Sequence, residues 1–537
     1  MSDTPFPALD PLTEPPFSLG VASFDPLPNR VLLWCVVEGG GTCHWEIATD
    51  PAFFDVVGRG KVAAPADTGV VLVDAEGLQP GTAYWYRFTA QGKPSPVGRT
   101  RTLPAGADEH LRLGVTCCAR FGESPFTVYG ELARTDVDLV VHLGDYVYED
   151  TKFEIEERRP EPDHDCVTLE DYRLRHAQAR RDPDLQALHA RHPMVVVWDD
   201  HDLADNAWAG GAKSHDEAEQ GPWADRLAAA LTAHQEFLPK RLADAADITS
   251  AWRTLDAGSF VRILATETRA HRDEQAGLDG AAPADDPQRT MLGAQQAAWL
   301  DAAAADPAPR WLVLVSGTVL SPLTIEAPQA LDDILPEKYA VVDGRASNSD
   351  QWDGYLAERD RVTTALGRRG GRSIVLSGDI HSSWAIEGPC EPDGAPVAVE
   401  LVCPPAATTP MGQLLPAGVG DRLGPALAHQ IEHVRWVDAT HHGFVVLTLT
   451  EDEALATWWW VDPGTTAATE VGRRWAVPAE GRPRLVDPEP AVAAADPDDE
   501  PPSPLSGRTA RRWRQLAVAA GTAAAVLGIR RVRRARR

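Results

Sequence analysis

A layered α/β protein preceded by a small β-sandwich is the fold class this sequence predicts. Two patterns carry that expectation. Short strand-like runs broken by turn residues fill residues 15–103, and strands alternate with helical stretches over residues 111–475. A third observation concerns chemistry. Four short polar motifs each follow an apolar run directly, which is where an α/β sheet gathers its ligands, at the carboxyl ends of strands.

The N-terminal strands are expected at residues 30–37, 41–47, 70–74 and 83–90, with Gly39-Gly40-Gly41 and Leu78-Gln79-Pro80-Gly81 as turns. Their number and spacing give a sandwich pattern. Residues 104–108 read as a linker. Beyond it, apolar runs at 112–116, 137–143, 194–198, 260–266, 311–316 and 374–377 predict buried strands. Helices are expected at 168–189, 221–242, 292–305 and 351–366. Two later β runs, 443–450 and 455–462, read as antiparallel strands finishing a second sheet. The chain thus divides into a sandwich domain at 1–103, a catalytic-sized domain at 108–477, and a linker and tail at 478–537.

Residues 478–510 are rich in Pro, Ala, Asp and Glu, a composition expected to stay disordered. The last segment, 511–537, carries a 14-residue apolar run at 516–529 between arginine clusters. That is shorter than the roughly 20 residues a membrane-spanning helix needs. A solvated, partly helical tail is the first expectation; peripheral contact with an anionic membrane surface through the basic tail is the alternative.

A formal net charge of −28 argues against nucleic acid as a partner, because phosphate backbones need a basic surface. The ten arginines after Pro501 make the remaining body more acidic still. Seven cysteines, odd in number and without a C-x-x-C pair, fit a reducing compartment better than a disulfide framework. The N-terminus has no basic region followed by an apolar one, so cytoplasmic residence is the expectation, with the inner face of the membrane as the place any tail contact would fall.

The four motifs are Cys117-Cys118, Gly144-Asp145-Tyr146-Val147-Tyr148, Asp199-Asp200-His201-Asp202 and Gly378-Asp379-Ile380-His381. Asp145 follows a glycine that lets the chain turn off its strand, and its carboxylate can bridge two cations. Tyr148 can fold back as a phenolate ligand, which calls for a strongly Lewis-acidic ion such as ferric iron, since free tyrosine has a pKa of about 10. Adjacent acids at 199, 200 and 202 repel one another unless cations neutralise them. Asn206 can add a neutral oxygen, and His201 can ligate or protonate a leaving oxygen. Asp202 and Asp205 read instead as a surface acidic loop. Asp379 and His381 alternate across one residue, so an extended chain points both to one side. Cys118 is a thiolate candidate by its place after a strand. Arg226, Arg269 and Arg272 are candidate phosphate contacts, although structural ion pairs are the commoner role of such residues. Two cations on a bridging carboxylate clamp an oxyanion and acidify a water, which points to phosphoester hydrolysis.

The same stretches resemble a known family. Phe17–Ser23 with Leu32-Leu33-Trp34, Gly81–Phe88, the Gly144–Glu149 motif, Trp198–Asp202, Thr268-Arg269, Trp352–Tyr355 and Ser377–Ser383 are similar, in order and spacing, to the alkaline phosphatase D (PhoD-like) branch of the metallophosphoesterases over residues 17–475. The resemblance implies a fibronectin-like N-terminal β-sandwich, a four-layer α/β/β/α metallophosphoesterase domain, and hydrolysis of small phosphomonoesters or phosphodiesters with Fe3+ and Ca2+. It places Cys118, Asp145, Tyr148 and the Gly378–His381 turn on the iron side, and Asp145, Asp200, Asn206 and Asp379 with calcium. Which ion Asp379 and His381 each face stays open. Arg226 matches the helix position expected to hold substrate phosphate. Cys117, Asp202, Asp205 and Glu267 depart from the family's usual residues. The twin-arginine signal of secreted members is not seen, so magnesium or manganese in place of calcium is a live alternative.

The reading is a metal-dependent phosphatase or phosphodiesterase with a metal-activated water. Its rival is a non-catalytic binding or membrane-associated protein with a relict metal site. Retention of every candidate ligand argues against the rival.

Overall fold

The computed structural model describes residues 14–106, 110–277, 282–326, 339–342, 345–391, 394–416, 418–463 and 469–487; the basic tail and the apolar run at 516–529 lie outside them. Two large mixed sheets make the body. The larger has nine strands in the order Thr469–Pro478, Glu453–Val461, Gly443–Thr450, His110–Thr116, Leu139–His142, Met194–Val196, Val21–Leu27, Arg30–Val36 and Val70–Glu76. The smaller has seven, ordered Arg253–Ala257, Val261–Ala265, Trp311–Val315, Ser373–Ser377, Val399–Val402, Ser383–Ile386 and Val434–Asp438.

The central strands are parallel and buried on both faces, which is why they read as unbroken apolar runs. Alternate residues serve different cores. Val313 and Val315 face the larger sheet and pack with its Leu113, Val115 and Val141. Leu312 and Leu314 face the other way, against Leu300 and Ala304 of helix Gly293–Ala305 and Leu366 of helix Leu356–Gly367. On the outer face of the larger sheet, Val140 and Val196 meet Tyr129 and Leu132 of helix Thr127–Arg134 and Leu185 and Leu188 of helix Pro183–Arg191.

The N-terminal strands split between two sheets. Val56–Ala64, Gly41–Ala48, Ala83–Ala90, Lys93–Pro94 and Gly98–Arg101 form one of five strands. Along Ala83–Ala90 every second residue is buried, so Tyr84, Tyr86 and Phe88 pack on Val31, Leu33, Val71 and Val73 opposite. Those opposing strands do not end with the N-terminal segment. Phe24 pairs in parallel register with Met194, so they continue the larger sheet. Polar locks cross the same join: Arg253 to Asp25 at 2.7 Å, Arg241 to Asp74 at 2.7 Å, and the Trp34 indole to the Glu236 carbonyl at 2.7 Å.

Three expectations change in detail. Residues 168–189 hold two helices, Leu169–Arg180 and Pro183–Arg191, because Asp182 caps the second and Pro183 occupies its first turn, where it ends the first. The 351–366 helix begins with a separate turn at Trp352–Gly354. The late strands Gly443–Thr450 and Glu453–Val461 extend the larger sheet beside His110–Thr116, with Val445 opposite Val115, so they join the sheet already built.

Candidate active site

Each motif leaves its strand within three residues. Cys118 follows His110–Thr116, Asp145 follows Leu139–His142, Asp199 follows Met194–Val196, and Asp379 follows Ser373–Ser377, so strands of both sheets deliver side chains to one edge of the core. Eight non-glycine residues among those described take a left-handed backbone, and five are nominated ligands: Cys118 (φ 54°), Asp145 (55°), Asn206 (55°), Asp379 (67°) and His381 (49°). That conformation is costly for side-chain-bearing residues and collects at functional sites. Gly144 (φ 102°) must be glycine for a second reason: a Cβ there would lie 2.5 Å from the Asp199 backbone nitrogen.

Three groups of donors gather with ligand atoms within 4.8 Å of one another: Cys118, Asp145 and His381; Asp145, Asp200 and His201; and Asp145, Asp199, Asp200 and Asp379. Asp145 belongs to all three. Tyr148 joins through its hydroxyl, which donates to Asp145 Oδ2 at 2.8 Å and lies 3.4 Å from His381 Nε2. The Thr408 hydroxyl sits 2.9 Å from the Tyr148 oxygen and from the Cys118 carbonyl, and the Arg120 guanidinium stacks 3.8 Å over the Tyr148 ring. Asn206 reaches Asp200 through its backbone, its N–H donating to Oδ2 at 2.7 Å.

Electrostatics show why the cluster wants cations. Burial holds the Asp145 and Asp199 carboxyls well above their ordinary range, with neighbouring anions adding to the effect, and pushes Asp379 up to about 6. Burial likewise raises the Cys118 thiol and the Tyr148 phenol. Asp200 runs the other way: burial pushes it up, but the Arg269 and His201 charges and the Asn206 N–H together bring it below its usual value. Asp199 Oδ2 is buried without a hydrogen-bond partner, and Asp200 Oδ1 has only the Arg269 guanidinium, 3.5 Å away; an orphaned oxygen such as Asp199 Oδ2 calls for an unseen partner. The donors divide by type. A thiol, a phenol, an imidazole and a carboxylate suit a Lewis-acidic ion such as iron, while a set of carboxylate oxygens suits a harder cation. The residues present therefore fit metal ions.

Arg269 stands among these acids with 0% exposure. Its Nε donates to Asp199, Nη1 to Asp350 at 3.1 Å, and Nη2 to Asp379 at 3.3 Å. Glu267 shapes that turn by accepting the N–H groups of Arg269 and Ala270 and the Trp198 indole. Arg272 binds Asp350 from the far side at 2.8 Å. Arg226 is not brought to the cluster: its guanidinium is buried against the Tyr172 hydroxyl, the Ser214 carbonyl and Gln220. Asp202 is a correction as well. It is fully buried, and its carboxylate accepts the N–H groups of Asp145, Tyr146, Val147 and Asp199 at 2.8–3.1 Å, so it clamps two motifs together from below.

Sequence reasoning passed over Asp199 as a ligand candidate, and also Glu149, Asp350 and Gln351. Glu149, with 1% of its side chain exposed, holds His201 Nδ1 at 2.7 Å and accepts from Asp205 N–H and the Ser214 hydroxyl. Although burial opposes it, the charges of Glu149 and Asp200 raise the His201 imidazole well above its normal value. Gln351 donates to Asp379. The acid at 149 closes the second motif and could have been noticed there; nothing local marks 350 or 351.

Residues 113–458 match the family described as PhoD-like phosphatase, and residues 6–104 its N-terminal domain. Alkaline phosphatase D of Bacillus subtilis (strain 168) is 34% identical over 404 residues, which is 69% of this chain and 65% of that protein's length. A solved structure of PhoD superposes with a TM-score of 0.76 at 26% identity, covering 96% of this chain and 99% of that one. With matches across both segments and a shared mixed α/β fold of several sheets, the chain belongs to the PhoD-like phosphatase family.

Proposed function

We propose that the chain is a metal-dependent phosphoric ester hydrolase acting on small phosphoesters. The observation that carries the proposal is Asp145, whose carboxylate is common to all three donor groups. On this reading Cys118, Asp145, Tyr148 and His381 hold a ferric ion, while Asp145, Asp200, Asn206 and Asp379 hold calcium, or magnesium or manganese in its place. Asp199 lies within reach of the second set. Cations held there supply a Lewis-acidic clamp on the phosphoryl oxygens and an acidified water.

The chain's own groups do the rest. His201, gripped by Glu149, stores a proton at the edge of the carboxylate cluster and delivers it to the departing oxygen. Arg269 ties Asp199, Asp350 and Asp379 together, which makes it a positioning residue; phosphate contact is not its first role. Arg226 supports Glu149 through Ser214. The fibronectin-like sandwich and the four-layer α/β/β/α arrangement belong to the same proposal, and the sheet-to-sheet core with helices on both outer faces supports them. The domain limits 1–103, 108–477 and 478–537, cytoplasmic residence, the lack of nucleic-acid partners and peripheral membrane contact by the tail are part of the same proposal, with the start of the third segment returning to the core, where Val486 pairs with Ala476 and Leu485 is buried. The seven cysteines, odd in number and without a C-x-x-C pair, support the compartment.

Hydrolysis of p-nitrophenyl phosphate and bis-p-nitrophenyl phosphate by metal-stripped and reloaded protein tests the reading. Activity should require added metal, and Asp145→Ala should lower kcat by at least about 1,000-fold. Equal activity in the two proteins would overturn the proposal.

A further inference from the structure

Behind the cation ligands, Gln275 and Ser349 are buried, at 3% and 0% exposure, and take no part in the chemistry above. They come from separate loops, one after the Arg269 turn and one just ahead of the turn at Trp352–Gly354. Together they form a chain of hydrogen bonds that ends at Asn206. The Ser349 hydroxyl donates to the Ala276 carbonyl at 2.7 Å. The same oxygen accepts from Gln275 Nε2 at 3.1 Å. Gln275 Oε1 in turn accepts from Asn206 Nδ2 at 3.0 Å.

Every direction in that chain follows from its first member. A backbone carbonyl can only accept, so the single hydroxyl proton of Ser349 is committed to Ala276, and Gln275 meets a lone pair. Gln275 must then present its amino end to Ser349 and its oxygen to Asn206. The hydrogen bonds of Asn206 run through its backbone N–H and Nδ2, so Oδ1 is the atom its side chain can offer elsewhere. The distinction matters because a hard cation binds a carboxamide through oxygen, not through its amino group. Turning Gln275 over would break two hydrogen bonds at once. The neighbouring loop residue repeats the device. The Val319 N–H, which can only donate, holds Gln351 Oε1 at 2.7 Å, and Gln351 Nε2 is thereby turned to Asp379.

We propose, building on the reading of Asn206 as a ligand of the second cation, that Gln275, held by Ser349, is the positioning residue that turns Asn206 Oδ1 to that cation. Gln275 touches neither metal nor substrate. It removes the wrong amide orientation from the free protein, and a ligand set ordered in advance binds more tightly.

Calcium, and separately magnesium and manganese, is titrated calorimetrically into the full chain after its divalent ions have been stripped with a chelator. Gln275→Met removes the acceptor and should weaken binding of the second cation at least about 10-fold. Gln275→Glu keeps an acceptor for Asn206 Nδ2 and should not weaken it. In an Asn206→Asp background both ends of the side chain are oxygen, so Gln275→Met should weaken binding no further. Wild-type affinity in Gln275→Met overturns the proposal. Equal losses in the two backgrounds also overturn it, as the mark of a structural tie only. If Gln275→Met fails to fold, Ser349→Ala frees Gln275 to turn over and should give a smaller loss that vanishes beside Asn206→Asp; unchanged affinity there overturns the proposal. A wild-type chain that takes up none of the three ions overturns the second-cation reading itself.

Discussion

The left-handed backbone at Cys118, Asp145, Asn206, Asp379 and His381 costs on the order of 1 kcal/mol at each position, least for the Asp and Asn residues. The fold offsets that cost locally. Asp202 gathers four backbone N–H groups beneath Asp145 and Asp199, and Glu149 fixes the imidazole of His201. Glu149→Gln keeps the size of that side chain and removes its charge. It should lower kcat about 10–100-fold while metal content stays at the wild-type level, measured by turnover beside elemental analysis. Unchanged turnover would remove His201 from the chemistry. At this scale the sequence was readable where chemistry sat beside a strand end. Asp145, Asp200, Asp379, His381, Tyr148 and Cys118 all follow apolar runs. Asp350 and Gln351 precede a short turn with no buried strand before it, so only the folded chain shows them meeting Arg269 and Asp379. Asp202 misled because four adjacent polar residues look like surface, whereas a buried carboxylate can be satisfied entirely by backbone donors.

Among the elements, the strand-to-motif turns decide whether the donors meet. Gly144 carries the tightest of them, with φ of 102° and the Asp199 backbone 2.5 Å from where a Cβ would stand. Gly144→Ala should cost on the order of 3 kcal/mol and lower metal content with it, read by urea unfolding and elemental analysis. A fully loaded, equally stable variant would contradict this account of the turn. The buried strands were legible because two-sided burial leaves no polar positions, as in Trp311–Val315 and Ser373–Ser377. Strand Val21–Leu27 was not read as a strand at all, since Ser23 and Asp25 interrupt its apolar pattern; both are buried, Asp25 by its pairing with Arg253. Partner choice was equally hidden. Nothing in residues 443–450 tells which sheet they join, because a pairing register depends on a distant strand.

For the whole molecule, the join between the N-terminal strands and the body concentrates buried basic groups. Lys240 is one. Its Nζ lies 2.8 Å from His234 Nδ1 and 4.9 Å from the Trp198 ring centre, with Arg253, Asp25 and Asp202 as the other charges acting on it, and burial pulls its pKa down to about 7. The unfolded chain holds that proton up to about pH 10.5. Stability from this group is therefore fully present above about 10.5 and lost as pH falls towards 7, at roughly 1.4 kcal/mol per pH unit between them. Urea unfolding across that window should show the slope in wild type and lose it in Lys240→Met. Burial lowers His142 and His176 to about 3, so they extend the loss below pH 6.5. The central claim is that one carboxylate, Asp145, joins two cation sites, and elemental analysis of purified wild type beside Asp145→Ala tests it most directly. The account predicts at least two metal ions per wild-type chain, with both sites depleted in the variant. Loss of one ion with the other retained at full occupancy would contradict a shared ligand, and no bound metal in wild type would contradict the site itself.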